Sequence, residues 1–248
     1  MAEGTWRTFY LVRDDLDRRT DAEVDAAEAA LGLTLPRGYR ELMTELGLGE
    51  VSRVLRAYAP DRIVSEQAFY QELIDTAWFF ENLTPEYARE CVVLGDNGDG
   101  DQIVFHPANA QLHVLPRHDE RTYAVGDDLW QVVDWFQGAG VLVRPHPFRY
   151  FESFVGPVEA ANGAGEDPDR IRAAIEALNL HNELEATEHD RTYFVKAIGG
   201  YISVFRSGEQ ANVHLSYCPG KSPAVRTQLW EAVAAAGVEW GPTWETVK

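Results

Sequence analysis

The chain has 248 residues, 45% of them hydrophobic and 25% charged. That length lets folding bury roughly 73% of the unfolded surface, and the composition excludes a disordered chain, a collagen-like repeat and a disulfide scaffold. Forty acids against 22 Lys and Arg leave a net charge of −18, which repels phosphate backbones, argues against nucleic acid as a direct partner and favours a basic protein.

In chain order, Thr5–Arg13 reads as a first strand or helix lead-in, with Trp6, Phe9, Tyr10, Leu11 and Val12. Thr20 to Glu23 forms a capping-box pattern. Val24, Ala27 and Leu31 then mark a helix face that Gly32 ends. A second helix is expected to start after Leu35 with Pro36 in its first turn. Its stripe is Tyr39, Leu42, Met43 and Leu46. Val51–Tyr58 predicts a strand. Ser65 is expected to cap a third helix running towards Asn82, with apolar residues on more than one face, so that it is buried on two sides or forms part of an interface.

From Cys91 the period turns strand-like: Cys91–Leu94, Gln102–Phe105, Gln111–Leu115 and Thr122–Val125. Asp127 or Asp128 then caps a helix with Leu129, Val132, Val133 and Phe136 inside and Gly138 as its stop. Strands following strands through short turns indicate an α+β fold. Arg144–Phe151 reads as a joining segment packed on the first unit. Gly156–Asp169 is small, Gly/Pro-rich and acidic, and reads as a linker. At its end, Asp167 and Pro168 open a helix carrying Ile171, Ala174, Ile175 and Leu178. Three strands follow, Tyr193–Ile198, Tyr201–Phe205 and Ala211–Tyr217, the first two joined by a tight Gly199-Gly200 turn. Ser222 and Pro223 open a last helix that Gly237 ends. The expected organisation is a first domain over 1–155, a linker over 156–169 and a small α-β-β-β-α domain over 170–248.

No apolar run reaches the roughly 20 residues that span a bilayer, and the opening Met-Ala-Glu-Gly-Thr-Trp-Arg lacks the order of a signal peptide. Cys91 and Cys218 lie far apart in apolar runs. A cytoplasmic protein with reduced thiols and no membrane contact is expected. Cys91 precedes three apolar residues and reads as core rather than nucleophile. No nucleophile elbow, phosphate-binding loop, dinucleotide fingerprint or zincin helix is present.

The acidic stretch Leu94 to Asp101 suggests calcium, but counting from Asp96 puts Pro107 where a closing Glu belongs. A Gly-rich turn whose aspartates satisfy local N–H groups explains it without metal. His106, His113 and His118 lack metal-ligand spacing and read as exposed strand-end residues. Neither metal nor cofactor is expected.

Leu35-Pro36 leading into Tyr39, Leu42 and Leu46, then Gly47 and Gly49, resembles the opening of the SUKH superfamily. Leu94-Gly95-Asp96 with Gly98, Gly100, Asp101, Ile103 and Phe105 resembles its central turn, and the helix with Leu129, Val132, Trp135 and Phe136 is similar too. The resemblance covers about residues 21–138 and leaves the second unit outside. It implies a curved, mainly antiparallel sheet packed with helices, and a binding module rather than an enzyme. Members include fungal cell-wall-synthesis regulators and bacterial immunity proteins that neutralise toxins, often nucleases. It supplies no catalytic residues. The resulting expectation is an acidic immunity-type protein that covers the basic cleft of a toxin. Asp96, Asp99, Asp101, Asp119, Glu120, Asp127 and Asp128 would provide the rim, with Trp78, Phe79 and Tyr123 as aromatic anchors. A housekeeping regulatory or scaffold protein is the alternative, and a metal-assisted hydrolase a third.

Overall fold

The structure, a computed structural model, describes residues 6–138 and 149–246. They fold as two compact units: residues 6–9, 16–138 and 149–154 form the first, and residues 10–15 and 155–246 the second. The short strand β1, Tyr10–Leu11, therefore belongs with the second unit.

In the first unit, α1 is Asp21–Leu31. Both reciprocal bonds of the Thr20–Glu23 capping box form, and Gly32 closes the helix in the left-handed region. The next helix, α2, is Tyr39–Glu45 and begins three residues later than Pro36 suggested. Arg37 is instead held in a parallel bridge to Asp128, and the Leu129 N–H donates to its carbonyl at 2.9 Å, so Pro36 cannot lie in a helical turn. Val51–Tyr58 is not one strand. It divides into β2 (Gly49–Val51) and β3 (Arg56–Ala57) around a turn in which Ser52 and Arg53 both have positive φ.

Helix α3 is Pro60–Ala77. Pro60 rather than Ser65 opens it; Ser65 lies inside, its hydroxyl donating to the Arg62 carbonyl. The helix buries Ile63, Tyr70 and Ile74, but Phe69 on its other side is 60% exposed. It stops at Trp78, whose backbone is extended. A short helix that the sequence pattern did not suggest, α4 (Pro85–Arg89), is capped by the Thr84 side chain.

Strands β4 (Val92–Asp96), β5 (Gln102–His106), β6 (Gln111–Leu115) and β7 (Tyr123–Gly126) form with β3 an antiparallel sheet in the order β3-β4-β5-β6-β7. Asp128 caps α5 (Leu129–Gly138) by accepting from the Trp130 N–H. That helix buries Leu129, Val132, Val133 and Phe136. Strand β8 (Tyr150–Ser153) pairs with β2. The Arg144–Phe151 joining segment lies outside the described residues up to position 148.

The second unit departs furthest from expectation. Val158–Gly165, inside the supposed linker, is strand β9. It pairs with β13 on one side and with β14 and β15 on the other. The remaining elements are α6 (Pro168–Ala177), β10 (Glu183–Ala186), β11 (Asp190–Val195), β12 (Gly200–Ser207), β13 (Gln210–Tyr217), α7 (Pro223–Ala235), β14 (Glu239–Trp240) and β15 (Trp244–Thr246). Sheet order is β10-β11-β12-β13-β9-β14, with β15 also on β9. Lys196–Ile198 forms a 3-10 turn between β11 and β12, so Gly199-Gly200 is not a two-residue hairpin. Asp167 and Pro168 open α6 as expected, the Asp167 carboxylate accepting from the Arg170 N–H. Ile171 and Ile175 of α6 and Leu229 and Val233 of α7 pack on Val195, Ile202, Val204, Val213 and Leu215. The molecule is α+β, with seven α-helices and antiparallel sheets among the described residues.

Candidate binding surface

Strands alternate in direction, so the β4–β5 turn and the β6–β7 connection share one end of the first unit's sheet. The turn is organised by Asn97, which is 3% exposed. Its side-chain carbonyl accepts from the Asp99 and Asp101 N–H groups, and its amide donates to the Asp101 carboxylate at 2.9 Å. Asp101 also accepts from the Arg117 N–H, joining the turn to the β6–β7 connection. Gly95 lies so close to β3 that a Cβ there would come 2.4 Å from the Arg56 carbonyl oxygen. Gly100 has φ +91°, a conformation that favours glycine. The two glycines thus serve backbone geometry. Asp96 is engaged within the chain, accepting from Arg56 Nε at 2.6 Å and the Tyr58 hydroxyl at 3.0 Å.

The β6–β7 connection supplies Asp119, Glu120 and Tyr123. The Tyr123 hydroxyl donates to Asp119 at 2.7 Å and its ring packs against Trp135. That hydrogen bond, with one from the Arg121 N–H, lowers the Asp119 carboxyl from its ordinary range, and the same bond raises the Tyr123 phenol. The chain leaving α3 docks here as well. The Glu81 N–H donates to the Glu120 carbonyl at 2.9 Å, the Asn82 amide to the Thr122 carbonyl at 2.8 Å, and the Thr122 N–H to Asn82 Oδ1 at 2.7 Å. Trp78 donates its indole N–H to the Leu83 carbonyl and packs on Phe80, so it is partly buried. Phe79 stacks on Phe80 and remains 51% exposed.

The fold therefore gathers Asp99, Asp101, Asp119, Glu120, Tyr123, Trp78 and Phe79 from three chain segments at one end of the sheet. It does not bring Asp127 and Asp128 there. They follow β7 at the opposite end, 3.9 and 3.8 Å from Arg37. Sequence proximity to Tyr123 is misleading because one strand length separates the two ends.

His106 and His113 are buried, correcting their reading as exposed residues. Tyr87 of α4 covers both. Its ring stacks on His106 with centroids 4.1 Å apart, and its hydroxyl lies 3.1 Å from His113 Nε2. His106 Nε2 also lies 3.3 Å from Glu90. Burial, and secondarily His106, lowers the His113 pKa. The Thr84-Pro85-Glu86 start of α4 was the signal available for this cover. Burial pushes the Cys91 thiol up to about 12, as suits a core residue. Among the described residues, no three His, Cys, Asp or Glu side chains are placed to hold a metal ion.

Residues 19–135 match the model of the SMI1 / KNR4 family (SUKH-1). The chain carries a SUKH domain. The match starts beside the Thr20 cap and ends inside α5, so it takes in the five-stranded sheet and the acidic, aromatic end. The family is generally non-catalytic. No curated protein and no solved structure matches the chain. None of the described helices is long and apolar enough to cross a membrane.

Proposed function

We propose that this is a non-enzymatic, cytoplasmic binding protein of the immunity type, which neutralises a basic toxin, a nuclease being the favoured class, by covering its active site. The observation that carries this reading is the convergence of acids and aromatics at one end of the SUKH sheet, held by hydrogen bonds between loops. Groups already fixed by their own chain lose little freedom on binding. Half-exposed Phe79 offers the aromatic contact that dominates interface energies. The surrounding carboxylates and the net charge of −18 favour encounter with a basic surface.

The test is purification from the native host at low salt, followed by identification of the co-eluting protein and assay of its nuclease activity. The expected result is a basic protein whose activity disappears on addition of one equivalent of this chain. A stable partner with no toxic activity would replace the immunity reading with that of a regulatory or scaffold protein. An acidic partner would remove electrostatic occlusion altogether.

A further inference from the structure

Two buried histidines lie beneath α4. Val104 stands opposite His113 in the β5–β6 register and two residues before His106, so both imidazoles share one face of the sheet. A single side chain, Tyr87, covers them, and it stands on a helix of only five residues. The Asn109 amide donates to the Tyr87 hydroxyl at 2.9 Å, which leaves the hydroxyl proton for His113 Nε2 at 3.1 Å. This pattern assigns a neutral His113 whose own proton sits on Nδ1, a buried atom without a hydrogen-bond partner. A further proton, on Nε2, sets donor against donor and puts a charge in the core. Among the described residues no carboxylate pairs with His113 to offset it; Glu90 lies beside His106 instead. The other titratable groups near the two rings are the Cys91 thiol, pushed up to about 12, and the Tyr70 hydroxyl of α3, also raised, so both stay neutral. Arg89 of α4 pairs with Asp75 and Glu86, and β7 sets the uncharged Ala124 opposite His113.

The chain just before α4 is part of the acidic, aromatic end. The Glu81 N–H donates to Glu120, and Asn82 exchanges hydrogen bonds with Thr122, two residues ahead of the Thr84 cap. We propose that α4 is an acid-sensitive latch: Tyr87 on neutral His113 keeps the helix and residues 78–83 docked, and protonation of His113 expels Tyr87, opens α4 and releases Phe79 and Asn82 from the acidic end. The latch couples proton uptake inside the sheet to the shape of the surface outside it. Its use, to let a partner go on acidification, rests on the binding reading above; the opening itself does not.

The test is amide exchange of the full chain between pH 7.5 and 5.5, corrected for the intrinsic rate, with the His113 imidazole titrated in parallel by NMR. The informative amides are Ala88, bonded to Thr84, Glu81, bonded to Glu120, and Thr122, bonded to Asn82. All three should lose about tenfold in protection over this range, because an opened His113 regains an ordinary pKa of about 6.5. Amides of β5 and β12 should keep their protection. His113→Gln, which still offers the Tyr87 hydroxyl an acceptor, should abolish the pH dependence. Tyr87→Phe keeps the ring but removes the donor to neutral His113, so it should raise the imidazole titration and shrink the acceleration. Full pH dependence in His113→Gln overturns the latch, as does an imidazole titration that Tyr87→Phe leaves unmoved. If His113→Gln does not fold, Tyr87→Phe decides alone. Equal acceleration in β5 overturns the latch in favour of unfolding of the whole unit, and acceleration at Ala88 without Glu81 and Thr122 overturns its link to the acidic end. Failure of the native-host experiment with these exchange results intact overturns the toxin reading and leaves the latch.

Discussion

The two units use small residues for opposite purposes. In the SUKH unit, glycines cluster in a turn, where Gly100 adopts a positive φ and Asn97 gathers the neighbouring N–H groups. In the second unit, Ala161, Gly163 and Gly165 lie inside strand β9, opposite Leu215, Val213 and Ala211 on the sheet face that carries the core. A Cβ on Gly163 would approach Val238 Cγ1 to 2.4 Å, and one on Gly165 would approach Ile171 Cδ1 to 2.8 Å. The first glycine cluster allows a turn. The second lets a helix and a following segment pack directly on a strand. Composition alone does not separate these cases.

The sharpest way to break this contrast is to add bulk to β9. Gly163→Val should destabilise the second unit by about 3 kcal/mol, the upper end of ordinary overpacking. Amide exchange should accelerate in β9 and β13 while the β4–β6 amides remain protected. A linker at 156–169 would instead tolerate valine and exchange freely in the wild type. Limited proteolysis gives the same answer, since Val158–Gly165 should resist cleavage.

The next effect falls on the turn. Asn97→Ala removes an acceptor for two N–H groups and a donor to Asp101. Leaving these groups unmatched at a buried position costs about 2 kcal/mol. The substitution should loosen the loop at residues 96–101 and shift the resonance of Arg117, whose N–H reaches Asp101. The second unit should keep its exchange rates.

A smaller effect comes from His113. Burial lowers its folded-state pKa below the ordinary value of about 6.5, so the unfolded chain binds a proton first as pH falls. Stability is retained above pH 6.5 and is lost progressively as pH falls below it towards the folded-state pKa. Melting between pH 7.5 and 5 should show this loss, and His113→Gln should flatten it. A rise in stability on acidification would contradict the buried arrangement under Tyr87.

Local chemistry determined how much of this was readable. The Thr20 cap, the Asp167–Pro168 start of α6 and the four meander strands were legible because their signals lie within a few residues. Pro36 misled because a bridge from Arg37 to Asp128, far along the chain, overrides helix propensity. β9 was hidden because its small residues answer to α6 and Val238 rather than to neighbours in sequence. For the site, eight of the ten chosen residues lie at one end of the sheet, Asp96 among them though tied to Arg56 and Tyr58, since the antiparallel meander puts alternate turns at one end. Asp127 and Asp128 fail the same rule, lying one strand length away. Helix α3 read as buried on two sides or part of an interface, and only the exposure of Phe69 shows that one of its apolar sides is not core.

The most direct test compares the two ends of the SUKH sheet in partner association. Asp119→Lys/Glu120→Lys should slow association with a basic partner several-fold at low salt, and the gap should close as salt screens the field. Asp127→Lys/Asp128→Lys, at the other end, should leave the rate within twofold of wild type. Equal slowing by both pairs would mean that only the overall charge matters, and slowing by the second pair alone would place the partner at the wrong end of the sheet and contradict the account.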